Sequence, residues 1–233
     1  MNHDRVTATV LLPTLALLLA LLPAIQGCQS SLSLRNQGDR AYAAGEYAQA
    51  AELYDASLQR DPTDATALYR LGLAQLEAGR PGEAQVNLER AWGLRPGSKI
   101  TPNILDALAE AIYQQDHPER LDRFLQQQAK RYGTTRAYLR QAKYLTLAGD
   151  IDLAQVALQK AIRFADEDDP RPYLALADFY SAVNDVPQAI QALRWAAYVA
   201  PESERVARRL RELGVTPGPT AAQQPPAPDD VLK

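Results

Sequence analysis

The sequence predicts an all-α fold, a right-handed α-solenoid of about five helix-turn-helix units closed by a C-terminal capping helix. Three observations predict it. Apolar residues recur at helical intervals in paired segments separated by Gly and Pro. One spaced pattern returns 34 residues later with the same residue types. No run of alternating β-branched residues stands between turn signals, so nearly no strand is expected. Alanine and leucine occur throughout, and both are strong helix formers.

The best copy of the pattern runs from Ala65 to Pro96. Leu68, Leu71, Gly72 and Gln75 share one face of a first helix, and Ala84, Leu88 and Ala91 one face of a second, with Gly79-Arg80-Pro81 as the break. Gly72 and Ala84 lack bulk where the paired helices would cross, so Gly72→Leu should overpack the pair, at a cost of roughly 1–3 kcal/mol. Leu34, Gly38, Gly45, Ala50, Tyr54 and Pro62 each stand 34 residues before Leu68, Gly72, Gly79, Ala84, Leu88 and Pro96. A later copy has Tyr173, Leu176-Ala177, Tyr180, Ala189, Leu193 and Pro201, and a fourth has Tyr138, Ala142, Leu145, Gly149, Ala154, Leu158 and Ala161. The third is degenerate, with Leu105, Leu108-Ala109, Ile112, Leu121 and Leu125 around a turn from Gln114 to Pro118. One hairpin cannot bury its own apolar faces, so each copy requires neighbours.

Leu68-x2-Leu71-Gly72, Ala84-x3-Leu88 and Pro96 are similar to the signature of the tetratricopeptide repeat (TPR), a helix-turn-helix unit of about 34 residues. That resemblance implies a non-enzymatic interaction scaffold in which the first helix of each unit lines a concave groove for a partner's peptide or helix. The inward side chains would include Arg35, Asp39 and Tyr42; Tyr69, Arg70, Leu73 and Glu77; Asp106, Glu110 and Tyr113; Arg136, Arg140 and Lys143; and Asp178. Arg136, Arg140 and Lys143 form a basic strip at i, i+4 and i+7, and Asp106 and Glu110 an acidic strip one unit earlier. The basic strip is expected to meet an acidic group, with the tyrosines as apolar contacts. The carboxylate clamp of TPR chaperone adaptors fits poorly, because Asp39 and Arg70 stand where it uses asparagines.

After the last unit, Glu202 and Glu204 precede Arg205, Arg208, Arg209 and Arg211, the order that a helix dipole favours. Val206, Leu210 and Leu213 form one apolar stripe and Gly214 ends it, as expected of a cap over residues that close the array at 33–213. Residues 214–233 are rich in proline and lack apolar periodicity, and a disordered or partly polyproline tail is expected there.

At the N-terminus, the apolar run from Val10 to Ile25 suits the core of a secretory signal over residues 1–27. Ile25-Gln26-Gly27-Cys28 resembles the bacterial lipobox, which implies cleavage before Cys28, acylation of its sulfur, and a short tether at 28–32. Cys28 is the sole cysteine, so a disulfide within the chain is excluded. An uncleaved anchor and a plain signal peptide remain the other readings. The expected location is the cell envelope, as a membrane-anchored lipoprotein facing the periplasm or exterior, or else secretion to the periplasm.

Chemistry-bearing motifs are few. The histidines are His3 and His117, which leaves no Cys/His or Ser/His/Asp arrangement and no His-rich metal site. No GxxxxGK or GxGxxG is present. A net charge of -3 argues against a polyanion-binding protein. We therefore expect no cofactor, no small-molecule substrate, no nucleic acid and no catalysis. The expected role is a protein-protein scaffold or adaptor in assembly of an envelope, pilus or secretion complex, or else an accessory subunit that positions an enzyme of cell-wall or cofactor-attachment machinery.

Overall fold

A computed structural model describes residues 30–232. The expected signal segment 1–27 and the candidate lipid-attachment residue Cys28 lie outside the described residues. Among the described residues there are eleven α-helices and no strand. They form five successive hairpins: α1 (Ser31–Ala43) with α2 (Tyr47–Leu58), α3 (Ala65–Glu77) with α4 (Pro81–Leu94), α5 (Thr101–Gln114) with α6 (Pro118–Tyr132), α7 (Thr135–Leu147) with α8 (Ile151–Arg163), and α9 (Arg171–Ala182) with α10 (Val186–Val199). The cap is α11 (Glu204–Glu212), whose Val206 and Leu210 are buried. Helix α1 begins at Ser31, so part of the expected tether is already helical.

Local chemistry explains the boundaries. Side chains of Ser30, Asp64, Thr134, Asp150, Asp185 and Ser203 accept backbone N–H bonds at the starts of α1, α3, α7, α8, α10 and α11. Each hairpin turns through one residue of positive φ: Gly45, Gly79, Asp116, Gly149 and Asn184. In four of them the next amide closes the helix end, as Arg80 N does on Gln75 O at 2.8 Å. The third hairpin uses Asp116 at φ 55° and lacks the equivalent bond from His117, which is the structural form of its degenerate sequence.

The expected close crossings are present. A Cβ on Gly72 would stand 2.5 Å from Leu88 Cγ, and one on Gly38 would stand 2.6 Å from the Tyr54 ring. Leu68, Leu88, Leu176 and Leu193 are fully buried between the paired helices. The core divides into one cluster from Ala41 to Ala111 and another from Ala142 to Val231. Ala109, Ile112, Leu121, Leu125 and Tyr144 form a small cluster between them.

The tail differs from expectation. Ala221 and Val231 are buried against the second cluster, and Pro228–Asp230 forms a single 3-10 turn. Gln223 N donates to Arg194 O at 3.1 Å, Gln191 bonds the Gln223 side chain at 3.0 Å, and Arg163 pairs with Asp229. Proline-rich composition removes helical periodicity, but it leaves isolated apolar side chains that can seat singly along α8 and α10.

Candidate functional site: the first-helix face

Two observations define an inner face. First helices of neighbouring units pack on one another, α3 on α5, α5 on α7 and α7 on α9, whereas the second helices pack chiefly on the first helices flanking them. A row drawn together on one side and splayed on the other curves toward the closer side, so the first helices line the concave face.

The candidate residues on that face are joined from unit to unit by ion pairs. Asp39 of α1 meets Arg70 of α3 and accepts the Tyr54 hydroxyl at 2.8 Å. Asp106 of α5 accepts Nε of Arg136 at 2.8 Å and Nε of Arg140 at 2.6 Å, both from α7. Glu110 accepts Lys143 Nζ at 3.0 Å and Tyr144 Oη at 2.9 Å. Asp178 of α9 meets Arg209 of the cap. Arg35 turns to Asp64, the residue that caps α3.

The basic strip, expected to meet an acidic group, already meets Asp106 and Glu110 within the chain. The acidic and basic strips face one another across one unit, and the Arg140 side chain is only 4% exposed. A repeat offset of 30 to 34 residues sets α7 beside α5 with these groups in register. Beside these paired charges, other groups of the face are accessible. Tyr42 and Tyr69 are half-buried, Leu73 packs partly on the core, Tyr113 is exposed and leans on Tyr144 with centroids 5.4 Å apart, and Glu77 is exposed without an ion pair among the described residues.

Electrostatics fit a recognition surface. Burial would raise the Glu110 carboxyl, but hydrogen bonds from Lys143 and Tyr144 and the Lys143 charge outweigh it and hold the group below its ordinary 4.5. Asp169 is likewise held below 3.8: burial opposes ionisation, and the Arg171 side chain and amide overcome it. Burial first, then the Asp39 and Glu110 carboxylates, push the phenols of Tyr54 and Tyr144 above their usual range. These phenols stay protonated and donate; they do not act as bases. His117 is exposed at the start of α6. Among the described residues no group of three or more His, Cys, Asp or Glu is placed to hold a metal ion, and no helix is long and apolar enough to cross a membrane.

Sequence reasoning missed a cleft of about 510 Å³ between α5, α7, α9 and α11, where Leu139, Leu174, Arg171 and Arg205 join Arg136, Arg140, Lys143 and Asp178. The signal was available: Arg205 lies one turn before Arg209 on the same strip of the cap helix.

Residues 35–98, which span nearly all of the first two hairpins, match the tetratricopeptide repeat family. No curated protein sequence matches the chain. Among solved structures, a thermophilic TPR protein of Thermus thermophilus is 23% identical, covering 79% of this chain and 98% of its own, with a TM-score of 0.56. MamA is 19% identical over 81% of this chain and 98% of its own, with a TM-score of 0.52. The C-terminal part of a TPR repeat-containing protein from Cytophaga hutchinsonii is 14% identical over 76% and 77%, with a TM-score of 0.51. At these identities the likeness is one of fold. Residues 35–98 thus match the tetratricopeptide repeat, and the array as a whole shares the fold of these TPR structures.

Proposed function

We propose that this TPR-type array is a scaffold that holds a segment of another protein along its first-helix face, tethered by an acylated Cys28 to a bacterial membrane. In this reading the array faces the periplasm or exterior and serves assembly of an envelope, pilus or secretion complex. The observation that carries the binding role is the concave row of first helices, on which Tyr42, Tyr69, Leu73 and Tyr113 remain accessible between charges that already neutralise one another. Aromatic side chains flanked by satisfied ion pairs offer contact area at little desolvation cost. The tether rests on the likeness of Ile25 to Cys28 to a lipobox and on the absence of any other cysteine.

Two measurements test the two halves of the reading. Intact mass of the protein from membranes of its own host should show an N-terminal acylated Cys28, and Cys28→Ser should release it from the membrane fraction. An unmodified residue 1 or an unchanged membrane fraction after Cys28→Ser removes the tether. Tyr69→Ser with Leu73→Asp should abolish capture of the native partner while helix content is kept. Capture that survives both substitutions removes the groove.

A further inference from the structure

The cleft between α5, α7, α9 and α11 is walled by five cationic side chains, Arg136, Arg140, Lys143, Arg171 and Arg205, and by only two carboxylates, Asp106 and Asp178. Including the partners just outside the wall, Glu110, Asp169, Arg209 and the second carboxylate on Arg209, Glu212, positive charges still exceed negative ones by one. In a chain whose net charge is -3, this is a local concentration of the opposite sign. Ion pairing inside the protein therefore does not exhaust the cleft's capacity for an anion.

Two groups have donor capacity that the fold does not use. Arg205 is exposed, lines the cleft from the cap and makes no ion pair among the described residues. Arg140 is 4% exposed, spends Nε on Asp106 and Nη2 on Pro102 O, and its buried Nη1 has no hydrogen-bond partner among the described residues. A buried guanidinium nitrogen without an acceptor is uncommon and gains most from an anionic one. Leu139, Leu174 and Ala175 complete the wall with apolar surface.

From this we infer that the cleft binds a carboxylate of the partner polypeptide, received by Arg205 with Arg171 and Arg140 behind it, while the partner's aliphatic part lies on Leu139 and Leu174. A guanidinium fork takes a carboxylate through two parallel bonds, as Arg171 already does with Asp169 at 2.7 Å through Nε and Nη2. At the other end of the groove the open charge is the carboxylate of Glu77, so the bound segment lies with its acidic end toward the cap and its basic end toward α3. This inference rests on the groove reading above.

The test uses full-length protein in detergent and decapeptides labelled at the N-terminus with a BODIPY dye that has no ionisable group, followed by anisotropy at low and high salt. Decaglutamate amide offers side-chain carboxylates only, a Gly-Ser decapeptide with a free C-terminus offers the terminal carboxylate only, and the amidated Gly-Ser decapeptide offers neither. One of the two carboxylate probes should bind, identifying the source, and the amidated neutral probe should not. Arg205→Glu and Arg171→Glu should each weaken that binding by about tenfold. Arg211→Glu, exposed on α11 and outside the cleft, should leave it within about twofold. Absence of binding by both carboxylate probes, equal weakening by Arg211→Glu, or Arg205-dependent binding of phosphatidylglycerol vesicles without binding of either peptide overturns the inference. Native-partner capture that needs Tyr69 and Leu73 but ignores Arg205 leaves the groove standing and this cleft refuted.

Discussion

Gly72→Ala and Gly93→Ala make the same chemical change in neighbouring helices and should have opposite signs. Replacing a helical glycine by alanine favours the helix by about 0.8–1.0 kcal/mol. At Gly93, the penultimate residue of α4, nothing lies within 4 Å of the added Cβ, so no clash opposes a gain of at most about 1 kcal/mol. At Gly72 the Cβ would stand 2.5 Å from Leu88 Cγ, 2.8 Å from its Cδ2 and 3.3 Å from the Ala84 carbonyl oxygen. Leu88 is fully buried and cannot rotate into solvent, and a backbone oxygen cannot move without its helix. Overpacking of this kind costs about 1–3 kcal/mol, so Gly72→Ala should be neutral to destabilising by about 2 kcal/mol, and about 1–3 kcal/mol worse than Gly93→Ala. Urea unfolding followed by helical circular dichroism measures both, with midpoints compared at equal slope because repeat arrays can lose two-state behaviour. In a Gly72→Ala background, Leu88→Ala should cost less than the roughly 2–5 kcal/mol expected alone, because it removes the clash. A Gly72→Ala protein as stabilised as Gly93→Ala would refute the close-crossing argument.

Other outcomes follow from the same contacts. Asp106→Ala leaves the buried Arg140 without its carboxylate and should cost about 3 kcal/mol, the low end for a broken buried pair because Asp106 is 40% exposed. Asp178→Ala, in a pair exposed to 24% and 52%, should cost under about 1 kcal/mol by the same urea assay, and equal costs would contradict the ranking. Glu110 is held below 4.5 in the fold, so it contributes stability fully present above pH 4.5 and lost as pH falls through its lowered folded value. Thermal midpoints measured from pH 6 to pH 3 should therefore fall less steeply below pH 4.5 in Glu110→Gln than in the unsubstituted protein, and parallel curves would contradict the shift. Val231 is 6% exposed, and Val231→Ser should cost about 1–2 kcal/mol and speed proteolytic removal of the tail. A silent substitution with an equally labile tail would return residues 214–233 to the disordered reading.

The hairpins were legible because close crossing leaves a compositional mark: Gly38 and Gly72 can be nothing larger, and they fall one period apart. The third unit was harder to delimit because its turn uses Asp116 where the first, second and fourth use glycine, and Asp carries no such mark. The inner face was legible as a set of residues but not as a set of pairs. Asp39 and Arg70, Asp106 and Arg140, Glu110 and Lys143, and Asp178 and Arg209 are separated by 31 to 34 residues, close to one period. That offset sets partners side by side once the array is assumed, so comparing charges one period apart was the available signal. The tail's contacts were not legible because Ala221 and Val231 pack singly, and single contacts have no period to read.

Photocrosslinking in the native host tests the central claim most directly, with a benzophenone amino acid placed at Leu73, Tyr113 or Asp178 on the first helices, or at Arg90 or Lys160, exposed on α4 and α8. The account predicts that one and the same partner polypeptide is trapped from all three first-helix positions and from neither of the other two. Trapping of that partner from Arg90 or Lys160, with no adduct at Leu73, Tyr113 or Asp178, would contradict it.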